Sequence, residues 1–218
     1  MLILASNSPR RRELLALTGW TFAIRPAAID ETPLAGEDPG TYVTRLARSK
    51  ARAGATLAPA GSLVLAADTI VADGPALLGK PGTPEQAAEM LRRLRGKTHQ
   101  VCTAIAVVAT ASGHLLSERC CSQVPMRKYS PAELDAYVAS GDPLDKAGAY
   151  GIQHAGFHPV EHFSGCFASV MGLPLCHLAR LMQRMGYPPP ADVPAACQAN
   201  LKYRCAIFTA IQRGEETG

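Results

Sequence analysis

Strand-like and helix-like stretches alternate along this chain, with one long hairpin among them. That order restricts it to an α/β fold on a mixed β-sheet. Residues 2–5 are a short apolar run that reads as a buried strand. Ser8-Pro9 supplies an N-cap and a proline for the first helical position, Leu14, Leu15 and Leu17 give the helix an apolar side, and Gly19 stops it. A second strand is expected at 22–25, then a loop around Asp30, Glu31, Pro33 and Gly36. Tyr42, Leu46, Ala47 and Ala51 trace a helix over 39–57, and 62–72 reads as a strand interrupted by Asp68-Thr69. Thr83-Pro84-Glu85-Gln86 and Ser130-Pro131-Ala132-Glu133 are capping boxes, opening helices that close at Gly96 and Gly141. Between them, 99–111 and 115–126 form the hairpin. A Gly-rich segment at 147–157, a strand at 160–163 and an amphipathic helix over 174–185 follow. Beyond Gly186-Tyr187-Pro188-Pro189-Pro190 the pattern weakens, and 214–218 is expected to fray.

Composition narrows the function classes. A chain of 218 residues, 47% hydrophobic and 18% charged, is neither disordered nor short of core. The balance of 22 basic and 18 acidic residues, net +4, is too mild for a dedicated nucleic-acid binder and suits a small anionic substrate. The longest low-polarity run, 101–111, is too short to span a bilayer, and the N-terminus lacks the basic region of a signal peptide. The seven cysteines are odd in number and contain no CxxC pair, so neither a disulfide framework nor a zinc site is expected, and the reducing cytoplasm is the natural location. His154, His158 and His162 are spaced for a helical zinc set, but Gly156 and Pro159 forbid that helix.

Three features carry chemistry. Ser6-Asn7-Ser8-Pro9-Arg10-Arg11-Arg12 joins a strand to a helix, where free backbone N–H groups, hydroxyls and arginines favour an anion. The bland alternative is a capped helix with a solvated basic first turn. Cations are unfavourable at a helix N-terminus unless something anionic neutralises them. Asp68, set in an apolar run, either marks an exposed strand end or is a buried carboxylate serving as general base or Mg²⁺ ligand. Gly79-Lys80-Pro81 and Asp30-Glu31 read, taken singly, as surface turns, and Lys50 as a snorkelling helix lysine. No P-loop or dinucleotide fingerprint is present.

Taken together and in order, these segments change the reading. Ser6-x-Ser8-Pro9-Arg10-Arg11, Asp30-Glu31-Thr32, Arg45-Leu46-Ala47-x-x-Lys50-Ala51, Ala67-Asp68-Thr69, Gly79-Lys80-Pro81, the run from Asp145-Lys146-Ala147-Gly148 through Tyr150-Gly151-Ile152-Gln153, and Gly172-Leu173-Pro174-Leu175 together resemble the Maf family of nucleotide pyrophosphatases. The resemblance covers about 2–186 and leaves 187–218 as an extension of unassigned role. It implies a Maf/ITPase-like mixed sheet flanked by helices, in two lobes with a central substrate groove. It implies hydrolysis of a nucleoside triphosphate to the monophosphate and pyrophosphate with a divalent cation, Mg²⁺ or Mn²⁺. Asp68 matches the family's catalytic acceptor, and Glu31, Lys50 and Lys80 its other active-site charges. Ser6, Ser8, Arg10 and Arg11 match its triphosphate contacts, and Glu31 and Asp68 its metal carboxylates. Arg10, Thr69 and Gln153 resemble the branch acting on dTTP and UTP rather than on 7-methyl-GTP.

His154 departs from the family's usual glycine, and 166–170 varies its usual residues. The resemblance allows a homodimer and implies no membrane or stable nucleic-acid partner. The competing reading is a nucleotide or nucleic-acid binding module that inhibits septum formation. Such a module would not need the full set Glu31, Lys50, Asp68 and Lys80. The enzymatic reading requires Arg10, Glu31, Lys50, Asp68 and Lys80 to share one cavity.

Overall fold

The computed structural model describes residues 1–215. Its centre is a six-stranded mixed sheet in the order β2–β1–β3–β5–β6, with β4 paired to β3. β1 (Leu2–Leu4) runs parallel to both β2 (Phe22–Ile24) and β3 (Leu63–Asp73), while β4 (Ala76–Leu78), β5 (Thr98–Ala109) and β6 (Leu115–Pro125) add antiparallel neighbours. Helices cover both faces, as a sheet apolar on both sides requires. α2 (Pro39–Thr56) buries Val43, Leu46, Ala47 and Ala51 against Ile3, Val64, Ala66, Ala104 and Ala106. α1 (Pro9–Ala16) and α6 (Leu175–Arg184) close the other face over Leu2, Leu4, Leu65, Ile105 and Val107.

A second lobe gathers around the far ends of β3 and β5. Val71, Val101 and Val124 meet α3 (Pro84–Leu94) and α4 (Pro131–Ala139) in a core that includes Tyr129, Tyr137, Tyr150 and Phe157. β3, β5 and β6 therefore run through both lobes.

The helix starts follow the capping residues. Ser8, Asp38, Thr83 and Ser130 each accept first-turn N–H groups. The capping box is complete at Ser130/Glu133, whereas the Gln86 side chain turns to the Gly82 N–H instead.

Four expectations need correcting. The stretch at 160–163 contributes only a single bridge, Val160 to Met126, because His158 and His162 take left-handed backbone angles that break an extended run. The region after Gly186 is ordered, with α7 (Val193–Leu201) capped by Asp192 and α8 (Phe208–Gln212) packed on α6. Val193 is buried, with Cys197, Leu201 and Ile207 packed against the α1–α6 core. Of 214–218, Glu215 still donates its N–H to the Ala210 carbonyl, and 216–218 lie outside the described residues. Finally, Cys102 and Cys121 form a disulfide. Spacing along the chain could not reveal it, because the hairpin register sets the two residues directly opposite, with Cα atoms 4.1 Å apart. Short β4 and α5 (Phe167–Val170) were also absent from the sequence reading.

Candidate active site

The cleft originates in a split in the sheet. β3 pairs with β1 only through Leu65 and with β4 only from Val71. Among the described residues, 66–70 have no ladder partner on that side, while β5 supports them on the other, with Asp68 opposite Ala104. The turn after β1 enters the same gap, since the Ala5 N–H still bonds to the Leu65 carbonyl and Ser6–Ser8 lead into α1. The resulting cleft is about 600 Å³. Its walls include Ser6, Ser8, Arg10, Arg11, Glu31, Lys50, Asp68, Thr69, Lys80 and Gln153, so every site residue expected from sequence is brought together. Arg12 is exposed and is not among the lining residues.

Asp68 is buried within β3, not at an exposed strand end. A lone carboxylate there would cost several kcal/mol. Lys50, from α2, answers it with Nζ 2.5 Å from Asp68 Oδ1 and 2.8 Å from Glu31 Oε1. One ammonium thus serves two carboxylates. Burial pushes the Asp68 carboxyl above the ordinary range, and the Lys50 charge and hydrogen bond bring it only partly back. Glu31 stands on an exposed loop that is nonetheless fastened. Tyr42 Oη donates to the Glu31 carbonyl at 2.9 Å, and Arg45 reaches both the Thr32 carbonyl and the Glu37 carboxylate. Arg45 and Lys50 therefore act from one helix, the first fixing the loop and the second its acidic residue. Tyr42 was assigned only to the core by the sequence.

Neighbouring arginines are used differently. Arg11 is embedded in protein: Nε donates to the Gly172 carbonyl at 2.9 Å, and its terminal nitrogens donate to Thr69 Oγ1 and Ser6 Oγ. Burial lowers its pKa, an effect that the nearby Asp68 charge opposes. Thr69 Oγ1 is shared further with Thr103 Oγ1, so its hydroxyl is tied into this brace. Gly172 has φ +111, a backbone conformation that side chains rarely adopt, which accounts for glycine at that position. Ser8 caps α1, and Ser6 Oγ accepts the Ser8 N–H. Arg10 instead crosses the cleft, with NH1 3.0 Å from Asp145 Oδ2. Protein acids thus already meet part of the positive charge at this helix start.

The loop carrying Gln153 packs tightly on β3. At Gly148, φ is +67 and a Cβ would lie 2.9 Å from Val71, so only glycine lets the loop approach this closely. Lys80 is exposed at the cleft mouth after β4, and the Gly79 carbonyl accepts the Gly148 N–H. The roles of Asp145, Asp142, Lys146 and Tyr137 were not read from sequence. The nearest signal was Asp145-Lys146 within the recognised motif.

The donor set fits a hard divalent cation. Glu31 and Asp68 converge on one cationic group, and each keeps a second carboxylate oxygen beyond the one Lys50 takes. No group of three or more metal-binding side chains occurs among the described residues. Two carboxylates completed by phosphate oxygens and water are the surroundings Mg²⁺ accepts.

Fold and cleft together define a class: an α/β protein whose divided sheet opens a cleft lined by basic side chains, with paired carboxylates among them. The chain belongs to the Maf family, since the family model described as "Maf-like protein" matches residues 1–185. It is 49% identical to a dTTP/UTP pyrophosphatase of Anaeromyxobacter dehalogenans strain 2CP-1, over 88% of this chain and 98% of the relative. It is 48% identical to a dTTP/UTP pyrophosphatase of Myxococcus xanthus, over 87% and 95% respectively. Among solved structures, a nucleoside-triphosphatase (dITP/XTP pyrophosphatase) of Mycobacterium abscessus aligns over 84% of this chain and 93% of its own. Its TM-score is 0.42 at 15% identity, too distant to bear on the reaction.

Proposed function

We propose that this protein hydrolyses dTTP and UTP to the nucleoside monophosphate and pyrophosphate. The observation that carries this reading is the convergence of Arg10, Glu31, Lys50, Asp68 and Lys80 on one cleft. Relatives at 48–49% identity bearing that name support the choice of substrate. A triphosphate brings about four negative charges, and cations fixed in a partly dry cleft offset them most strongly as charge builds on the bridging oxygen. Arg10 and Lys80 are placed to meet the phosphates from opposite walls, while Arg11 keeps the Ser6 turn in shape. Asp68 takes a proton from the attacking water as the bridge between the α- and β-phosphates breaks and its oxygen leaves with pyrophosphate. Lys50 holds Asp68 and Glu31 in place, and Gln153 offers a donor and an acceptor to a pyrimidine edge.

Glu31 and Asp68 would hold Mg²⁺ or Mn²⁺, which when bound offsets phosphate charge and polarises the P–O bonds. No helix among the described residues is long and apolar enough to cross a membrane. We place the enzyme in the cytoplasm with its nucleotide substrates, and read 187–215 as a brace behind α1 and α6. The deciding experiment is a product-resolved screen of nucleoside triphosphates with Mg²⁺ or Mn²⁺. Pyrophosphate from UTP and dTTP is expected, and orthophosphate release would overturn the reaction class.

A further inference from the structure

Behind Arg10 lies a run of hydrogen bonds that the reaction scheme above does not use. Asp145 holds the Arg10 guanidinium at two points, with Oδ2 3.0 Å from NH1 and its backbone carbonyl 3.3 Å from NH2. The two residues are 135 apart in sequence, Arg10 on a helix packed in the first lobe's core and Asp145 between residues packed on the second's. The other oxygen of Asp145 accepts from Lys146 Nζ at 2.7 Å. That ammonium also donates to the Asp142 carbonyl at 2.5 Å and to Asp142 Oδ1 at 2.9 Å, which uses all three of its donors. Asp142 Oδ2 accepts from Tyr137 Oη at 2.6 Å, and Tyr137 Oη accepts the Gly151 N–H at 3.1 Å. A Cβ at Gly151 would lie 3.1 Å from Lys146 Cε and 3.3 Å from the Gln153 carboxamide. The chain therefore begins at a phosphate-facing arginine and ends beside the residue proposed to read the base.

Two properties tie the Arg10–Asp145 pair, whose Asp145 side chain is 58% exposed, into the protein. Along the hydrogen-bonded chain two cations and two anions balance, so it carries no net charge of its own. Its inner members are also immobilised: Lys146 and Tyr137 are buried, and Tyr137 stacks on Phe157 at 4.2 Å. Burial alone would raise the Asp145 carboxyl, but Lys146 and Arg10 hold it below the ordinary range, so it meets Arg10 as a full anion. Held along one edge, the guanidinium keeps further N–H groups for phosphate.

We propose that Asp145 is a positioning residue for the triphosphate arm. It sets Arg10 across the cleft, and Lys146–Asp142–Tyr137 bind that setting to the base-reading loop, so that loop and arm move as one part. This rests on reading the cleft as a nucleoside triphosphate site.

The test is a double-mutant cycle on the full chain with Asp145→Asn, Arg10→Ala and both together. It is read as UTP turnover with Mg²⁺ and as calorimetric binding of inorganic tripolyphosphate. Asp145→Asn is expected to raise the UTP KM and the tripolyphosphate Kd about tenfold, the size of one charge-assisted hydrogen bond, with little change in kcat. In the Arg10→Ala background the same substitution should change neither value, because its target is gone. Additive losses, or tighter binding in Asp145→Asn, would overturn the assignment; the second outcome would mean that Asp145 competes with phosphate for Arg10. Tyr137→Phe cuts the chain at its base end, so it should raise the UTP KM several-fold while leaving tripolyphosphate binding unchanged. No change in either would remove the link to the loop. If the unaltered protein neither turns over UTP nor binds tripolyphosphate, the cleft reading itself fails and the proposal falls with it. Binding with an additive cycle defeats the positioning role alone.

Discussion

Two ion clusters, each built on a buried carboxylate on opposite sides of the sheet, show how a site differs from a clamp. In the cleft, one ammonium, Lys50, serves two carboxylates, Glu31 and Asp68. At the other cluster, one carboxylate, Glu118 on β6, receives Arg180 and Arg184 of α6. Arg180 meets both Glu118 oxygens through Nε and NH2, and its NH1 donates to the Ile211 carbonyl at 2.7 Å, pinning the end of α8. In that second cluster both carboxylate oxygens are taken by Arg180. The first has an excess of negative charge, carboxylate oxygens to spare and an opening to the cleft. An ion cluster left incomplete by the protein is one a substrate and its metal can complete, whereas a completed one only holds parts together.

The sharpest way to break the comparison is Asp68→Asn. We expect turnover to fall about a thousandfold, within the range for loss of a general base. Because burial holds this carboxyl above its ordinary range, its removal should leave the thermal midpoint unlowered. Turnover that survives would end the role given to Asp68. Arg180→Ala should do the reverse. Removing the main partner of a Glu118 side chain that is only 9% exposed, with Arg184 left 3.5 Å away, is expected to cost about 2 kcal/mol in urea unfolding while kcat stays near its original value. A variant that lost activity without losing stability would erase the distinction between the clusters.

His99 sharpens the comparison from a third position, that of a buried group with an incomplete set of partners. Its Nε2 pairs with Tyr150 Oη at 2.8 Å, while buried Nδ1 has no hydrogen-bond partner among the described residues. Burial lowers its pKa to about 4, with the Asp73 charge opposing. The folded state therefore favours neutral His99, and the unfolded chain binds a proton first as pH falls. Stability is full above the unfolded value of 6.5 and declines between there and about 4. Between pH 7 and pH 5 the loss attributable to this group should be about 2 kcal/mol. It should disappear in His99→Gln, as followed by urea midpoints. An equal slope in that variant would assign the effect to other groups.

Much of the cleft was legible because its signals are local. Ser8-Pro9 caps α1 as the sequence indicates, and Asp68 stands out as a charge within an apolar strand. What sequence could not show was pairing at a distance. Asp145 reaches Arg10 only after the second lobe folds back, and Cys102 meets Cys121 only through hairpin register. Length also limited the reading, since β4 has three residues and no periodicity to detect. The C-terminal helices carried a readable cap in Asp192 ahead of Pro194. The run of prolines just before it and the mixed faces of α7 obscured that signal.

The continuity of β3, β5 and β6 through both lobes also bears on how the cleft can admit a nucleotide. A three-stranded ladder resists bending about an axis that would break its paired backbone bonds, so the two halves lack the pliable crossing that a clamshell enzyme hinges on. The segment between β2 and α2, which bears Glu31, is exposed over most of its length, yet Tyr42 and Arg45 fasten it to the same frame. Both walls of the cleft therefore stand on one stiff frame, and Asp68 lies on the strand that joins them.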